Sequence, residues 1–224
     1  MYLLNYSEIF RAYWPVCFVA FACTALTDWC INNLYSKKLQ SGLLSFPEQL
    51  KQRARFRKPL LFMLLALCFG KAWTLASGLH FVYLCIAITL LSLITITDFE
   101  QHVIFDATLA PLAICGVGYT IYLQLPLTEH LVAGFSGGLL FFVLTLLTQG
   151  AIGGGDIKLI ATLGLWLGIK PLIIVIIYGA IAGGLAALLL LLLKKTTRKQ
   201  FLAYGPYFAL TAIGVLLNLF QALF

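Results

Sequence analysis

A chain of 224 residues that is 62% hydrophobic and only 10% charged, with a mean hydropathy of +0.99, reads as a polytopic membrane protein, not a water-soluble globule. Its formal charge of +7 would suit a nucleic acid, but the excess sits in loops beside apolar runs and no aromatic and basic platform accompanies it. Anionic lipid is the expected counterpart, at roughly 1 kcal/mol per basic residue near the surface.

Gly, Pro and charge divide the chain into eight apolar segments, in order 14–35, 59–77, 79–97, 107–125, 131–148, 157–168, 171–193 and 207–224. Several approach the ~20 residues that a helix needs to cross a bilayer core. The expected fold is therefore all-α, a membrane bundle of about eight transmembrane helices. Residues 1–89 form its N-terminal helices and residues 90–224 its core. Segment 157–168 is short for a span, and is expected to tilt, to begin inside a cavity, or to take the preceding glycines as its first turn. The first segment is expected to persist as a helix, because residues 1–13 carry one Arg and one Glu instead of a basic cluster and no A-x-A site follows.

Orientation follows from Lys and Arg. If loops alternate sides, the basic loops 36–58 and 194–199 share one face with Lys158, leaving Arg11, Lys71 and Lys170 elsewhere. The positive-inside rule makes the shared face cytoplasmic and puts both termini outside. Asp98, Glu100, Asp106 and Asp156 then all lie at the cytoplasmic face.

Cys17, Cys23, Cys30, Cys68, Cys85 and Cys115 all fall in predicted helices and none forms C-x-x-C, so buried apolar thiols are expected instead of disulfides or metal ligands. His80 and His130 belong near the outer face and His102 in a cytoplasmic loop. None has a partner at ligand spacing, so no metal site is expected. Small residues at Gly134, Ser136, Gly137 and Gly138, and at Gly179, Gly183 and Gly184, suggest close helix packing. Asp28 and Lys71 resemble an intramembrane pair or cavity-lining groups, without an assigned role.

The chemistry rests on two stretches. Asp98 directly follows an apolar helix, where an ionisable group is costly and therefore a functional candidate. Within nine residues come Glu100 and Asp106; the first suits solvent exposure and the second the N-cap of the next helix. The other stretch is Gly153, Gly154, Gly155, Asp156, Ile157, Lys158. Glycines such as Gly153 and Gly155 let a backbone approach a helix or an extended peptide closely. A phosphate cradle is disfavoured, because an acid follows the glycines and no G-K-[ST] does. Two carboxylates that share one proton can activate water, which makes Asp98 and Asp156 the candidate catalytic pair.

These stretches resemble the type IV prepilin peptidases, relatives of the preflagellin peptidases and more distantly of presenilin-type proteases. Residues 98–112 resemble the family's D-x-[DE]-x-x-x-[IL]-P-D stretch and its helix, with Phe105 in place of the usual proline. Residues 153–159 resemble G-x-G-D-x-K-L, and Tyr204, Gly205, Pro206 and Tyr207 resemble a late F-G-P-F element. The resemblance implies an intramembrane aspartyl endopeptidase of the bacterial inner membrane with periplasmic termini. Its substrate would be a prepilin or pseudopilin, cut after the glycine that ends a short basic leader. Proteolysis by that route needs no cofactor. Larger relatives carry paired C-x-x-C motifs between their first two helices and methylate the new N-terminus from S-adenosylmethionine; loop 36–58 has no cysteine, which argues against that activity here. Glu48, Glu100 and Asp106 are candidates to receive the basic leader. Lys158 is a candidate to hold an acidic residue beyond the cut or to orient Asp156, though any Lys at a helix start can snorkel to lipid phosphate.

Two other classes fit the composition. A small transporter also carries intramembrane acids and glycine-broken helices, but its site is expected near the bilayer midplane, whereas both acids here fall at one face. A non-catalytic assembly protein of the same fold is the other.

Overall fold

The computed structural model describes residues 6–40, 49–150, 152–193 and 204–219, and side chains within 14–37, 57–150, 152–193 and 204–219. Glu48 and the basic residues 194–199 lie outside the described residues. Among those described there are eight α-helices and no strand: α1 (Tyr6–Gln40), α2 (Gln49–Leu75), α3 (Gly78–Gln101), α4 (Asp106–Tyr122), α5 (Leu127–Leu147), α6 (Gly154–Leu167), α7 (Ile169–Leu192) and α8 (Gly205–Leu216). Each of the eight expected segments overlaps one helix, and each helix begins before its segment does. The largest difference is at the basic loop, where α1 and α2 extend helix into both ends of 36–58.

Five of these helices carry stretches long and apolar enough to cross a membrane: Trp14–Lys37, Arg57–Leu75, Gly78–Gln101, Leu127–Leu147 and Ile169–Leu192. Helices α4, α6 and α8 have 17, 14 and 12 residues. At 1.5 Å per residue, α8 reaches only about 18 Å against a ~30 Å hydrocarbon core. Several helices stop at a left-handed residue that is not glycine. Gln124, Gln149 and Asn218 have φ of 55°, 53° and 55°. Each follows a Schellman pair: Leu125 N–H donates to Thr120 C=O at 3.0 Å, Gly150 to Thr145 at 2.8 Å, and Leu219 to Gly214 at 2.9 Å. Thus α8 ends well before the apolar pattern does.

The chain divides into two compact units, Met1–Thr89 and Leu90–Phe224, with α3 beginning in the first and ending in the second. In the first unit α1 pairs with α2. Val16, Ala20, Ile31, Leu61, Leu65 and Phe69 are buried there. A charge cluster is buried too: Arg57 bridges Asp28, with its Nε 2.8 Å from Asp28 Oδ1, and its guanidinium also donates to Asn32 Oδ1 at 2.8 Å. Lys58 adds a contact to Asp28 at 3.4 Å. The sequence left Asp28 and Lys71 without a role, as a pair or as cavity-lining groups; the cation against Asp28 is Arg57, at the start of the apolar part of α2. The thiols are also less buried than expected: Cys68 and Cys85 are buried, Cys17 is exposed, and Cys23, Cys30 and Cys115 are intermediate.

In the second unit, α6 is the hub, packing against α4, α5, α7 and α8. Its contact with α5 works through small residues. A Cβ at Gly134 would lie 2.8 Å from Ala161 O, one at Gly138 would lie 3.1 Å from Ala161 Cβ, and one at Gly164 would overlap the Ala133–Gly134 backbone. On α7, Gly179 and Gly183 face Phe208 and Tyr204, whereas Gly184 faces open space and takes no part in packing. Several threonine hydroxyls bond within their own helices, as at Thr95 to Leu91 O (2.8 Å) and Thr145 to Phe141 O (2.8 Å), whereas Thr120 on α4 also reaches Leu165 O on α6 at 3.1 Å.

Candidate active site: two carboxylates around a glycine

Antiparallel succession within the second unit brings the end of α3 and the starts of α4, α6 and α8 to one end. Asp98 sits in the last turn of α3 and is only 5% exposed. The helix closes just beyond it, where His102 N–H donates to Asp98 C=O at 2.9 Å and His102 turns left-handed at φ 53°. Residues 103–105 then lead into α4. The N-cap of α4 is Phe105, not Asp106 as expected; Asp106 is the first helical residue, and Thr108 Oγ1 bonds Phe105 C=O at 2.7 Å instead. An extended Phe105 (φ −84°, ψ 130°) fits its place at the end of this short loop.

Asp156 is the third residue of α6, whose N-cap is Gly153. Its carboxylate turns back toward the Gly153 N–H, the reciprocal half of a capping box, and it also answers the positive end of the helix. That role uses one oxygen. The other, Oδ1, is buried without a hydrogen-bond partner among the described residues. Buried acceptors are nearly always satisfied, so this oxygen is open to a partner such as water. Asp156 lies outside the five long spans; burial is the stronger influence on its pKa and raises it, with the Gly153 N–H opposing.

The two acids meet at Gly205, the first residue of α8. A Cβ there would lie 2.5 Å from Asp98 Oδ2 and 3.2 Å from Asp156 Oδ1. The two oxygens are therefore within the sum of those distances of each other. The Gly205 N–H points at the Asp98 carboxylate. Ile104, from the α3–α4 connection, fills the remaining side: it would touch a Cβ at Gly205 at 2.9 Å and one at Gly155 at 3.0 Å. Phe99 and Tyr207 lock α3 to α8 edge to face, with centroids 5.9 Å apart.

The remaining sequence candidates fall around this centre. Lys158 does not turn to Asp156. It makes a two-pronged ion pair with Asp106, at 2.7 and 2.9 Å, and both side chains are largely exposed. Glu100 is half-buried in the last turn of α3. Gly153 is exposed, with its Cβ position 3.3 Å from Asp156 Oδ2. Gly205 and Ile104 carried no role in the sequence reading. Both did fall in stretches with a family resemblance, Gly205 in the Tyr204–Tyr207 element and Ile104 at the [IL] position between Asp98 and Asp106, but neither position was given a function there.

Among the described residues no group of three or more His, Cys, Asp and Glu is placed to hold a metal. His130 is buried at the opposite end of the unit, its Nδ1 3.1 Å from Leu165 C=O, beside an open pocket of about 390 Å³ lined also by Glu129, Trp166 and Lys170. That pocket is remote from the carboxylates in the fold, at the far ends of α4, α6 and α8.

Comparison with curated proteins and with solved structures gave no match. A family model does match: residues 83–188, just under half of the chain, fit the type IV leader peptidase family. The matched segment holds both aspartates and the glycine run, and ends before the Tyr204–Tyr207 element. It supports a peptidase with a protein substrate in a multi-pass membrane protein, and bears out the resemblance carried by Asp98 and Asp156: in this segment the chain is similar to the type IV leader peptidases.

Proposed function

We propose that the protein is an intramembrane aspartyl endopeptidase that removes the short basic leader from a type IV prepilin or pseudopilin at the cytoplasmic face of the bacterial inner membrane. The observation that carries this reading is the convergence of Asp98 and Asp156, from two helices, on the single position of Gly205. Like charges so close cannot both ionise in a desolvated site. One carboxylate takes a proton from water as that water attacks the scissile carbonyl; the other, protonated, donates a hydrogen bond to the carbonyl oxygen. The orphaned Asp156 Oδ1 is placed to accept from that water. The substrate is extended where it is cut, and the glycines before Asp156 leave room beside the dyad for such a strand. Both acids lie at helix ends and not at mid-helix, which disfavours transport.

The test is processing of a co-expressed prepilin. The parent chain should release the leader, whereas Asp98→Asn and Asp156→Asn, at matched membrane abundance, should release none. Full processing by either variant would overturn the assignment, and no processing by the parent would leave the fold in a non-catalytic role.

A further inference from the structure

The start of α8 lies between the two acids, and the residue at that point has no side chain. Gly205 is buried and precedes Pro206. Proline disfavours a helical conformation for the residue before it by pressing on that residue's Cβ, and glycine escapes the clash. Pro206 in turn lacks an N–H, so the donor nearest Asp98 at this helix start is Gly205's own. The space is equally specific. A single methyl at 205 would sit 2.5 Å from Asp98 Oδ2, 2.9 Å from Ile104 Cδ1 and 3.2 Å from Asp156 Oδ1. Ile104 ends in a flexible methyl and can yield. The Asp98 carboxylate, 5% exposed and fixed in the last turn of α3, has nowhere comparable to go.

We infer that Gly205 is a positioning residue for the dyad: its bare Cα lets the first turn of α8 enter between Asp98 and Asp156, and its N–H holds the Asp98 carboxylate at the spacing that a shared water requires. This rests on the catalytic reading of the two aspartates, and it extends the working site beyond the matched segment 83–188 to a third helix. A methyl at 205 displaces Asp98 from its partner instead of blocking the substrate. The defect therefore belongs in the chemical step and not in binding.

Two measurements test it. In purified, lipid-reconstituted protein cleaving a prepilin with an intact basic leader, Gly205→Ala should lower kcat by about 100-fold, the loss expected for a shift on the order of 1 Å, and leave KM within about 3-fold. The second needs no activity: a thermal-unfolding cycle of Gly205→Ala with Asp98→Ala. The methyl should lower the unfolding temperature in the parent and cost much less once the Asp98 carboxylate is gone. Equal losses in the two backgrounds, or a Gly205→Ala enzyme with parental kcat, would overturn the inference. The cycle also separates the two claims. A coupled cycle in a protein whose Asp98→Asn variant still cleaves would remove the catalytic reading and leave the contact.

Discussion

At the scale of residues, Asp156 holds two roles, a helix-start acid on one side and an unpartnered buried oxygen on the other. Folding raises its pKa, chiefly by burial. A carboxyl raised in this way favours the fold while protonated and loses that contribution as pH climbs from the unfolded value of ~3.9 through the folded one. Asp156→Asn should therefore abolish cleavage yet unfold at a higher temperature than the parent at neutral pH, with the gap closing in acid. Scanning calorimetry at several pH values checks this; a less stable variant at neutral pH would mean that the capping contact outweighs the buried charge. Gly155 makes a second prediction. Its Cβ position meets Ile104 at 3.0 Å, whereas that of Gly184 meets nothing within 4 Å. Gly155→Val should slow cleavage by about 100-fold and Gly184→Val only slightly, in initial rates at matched expression. Gly179 makes a poor control, because a side chain there runs into Phe208.

At the scale of elements, the two ion pairs differ in kind. Arg57 and Asp28 join α1 to α2 and are 7% and 6% exposed. Removing one partner strands a buried charge, so Arg57→Met should cost ~3–5 kcal/mol in unfolding measurements, and adding Asp28→Leu should recover most of it. An equally unstable double variant would show that the side chains matter for packing more than for charge. Lys158 and Asp106 join α6 to α4, but their side chains are 57% and 73% exposed. Screening limits such a pair to about 1 kcal/mol or less. Asp106→Asn and Lys158→Met should both keep substantial cleavage, and loss of cleavage in Asp106→Asn beside an active Asp98→Asn would name Asp106 as the true first acid. The short helices have their own logic. α6 contacts four neighbours and need not satisfy a full bilayer alone, which is why 14 residues suffice.

At the scale of the whole molecule, the chain combines a matched peptidase segment with an N-terminal unit whose basic connection, 36–58, contains no cysteine. If that region lacks a transferase site, mass spectrometry of pilin matured by this enzyme alone should find an unmodified N-terminal amine. An increment of one methyl group would show that the transfer does not depend on paired cysteines.

Composition alone determined the solvent, and apolar run length determined the eight helices, because a bilayer leaves the backbone few alternatives. The acids Asp98 and Asp156 were legible for the same reason: charge next to an apolar helix is rare. Helix ends were less legible, since Gln124, Gln149 and Asn218 turn left-handed without the glycine that signals such a stop. Apart from the pairing of the two acids, partners could not be read. Arg57 was counted in a basic loop and is buried against Asp28; Lys158 was read beside Asp156 and bonds Asp106; Gly205 lies 49 positions after Asp156 and meets it in space. Local pattern fixes which residues tolerate the membrane, but only packing decides which faces meet. In this chain, packing brings two carboxylates far apart in sequence to one position, that of Gly205 at the start of a third helix.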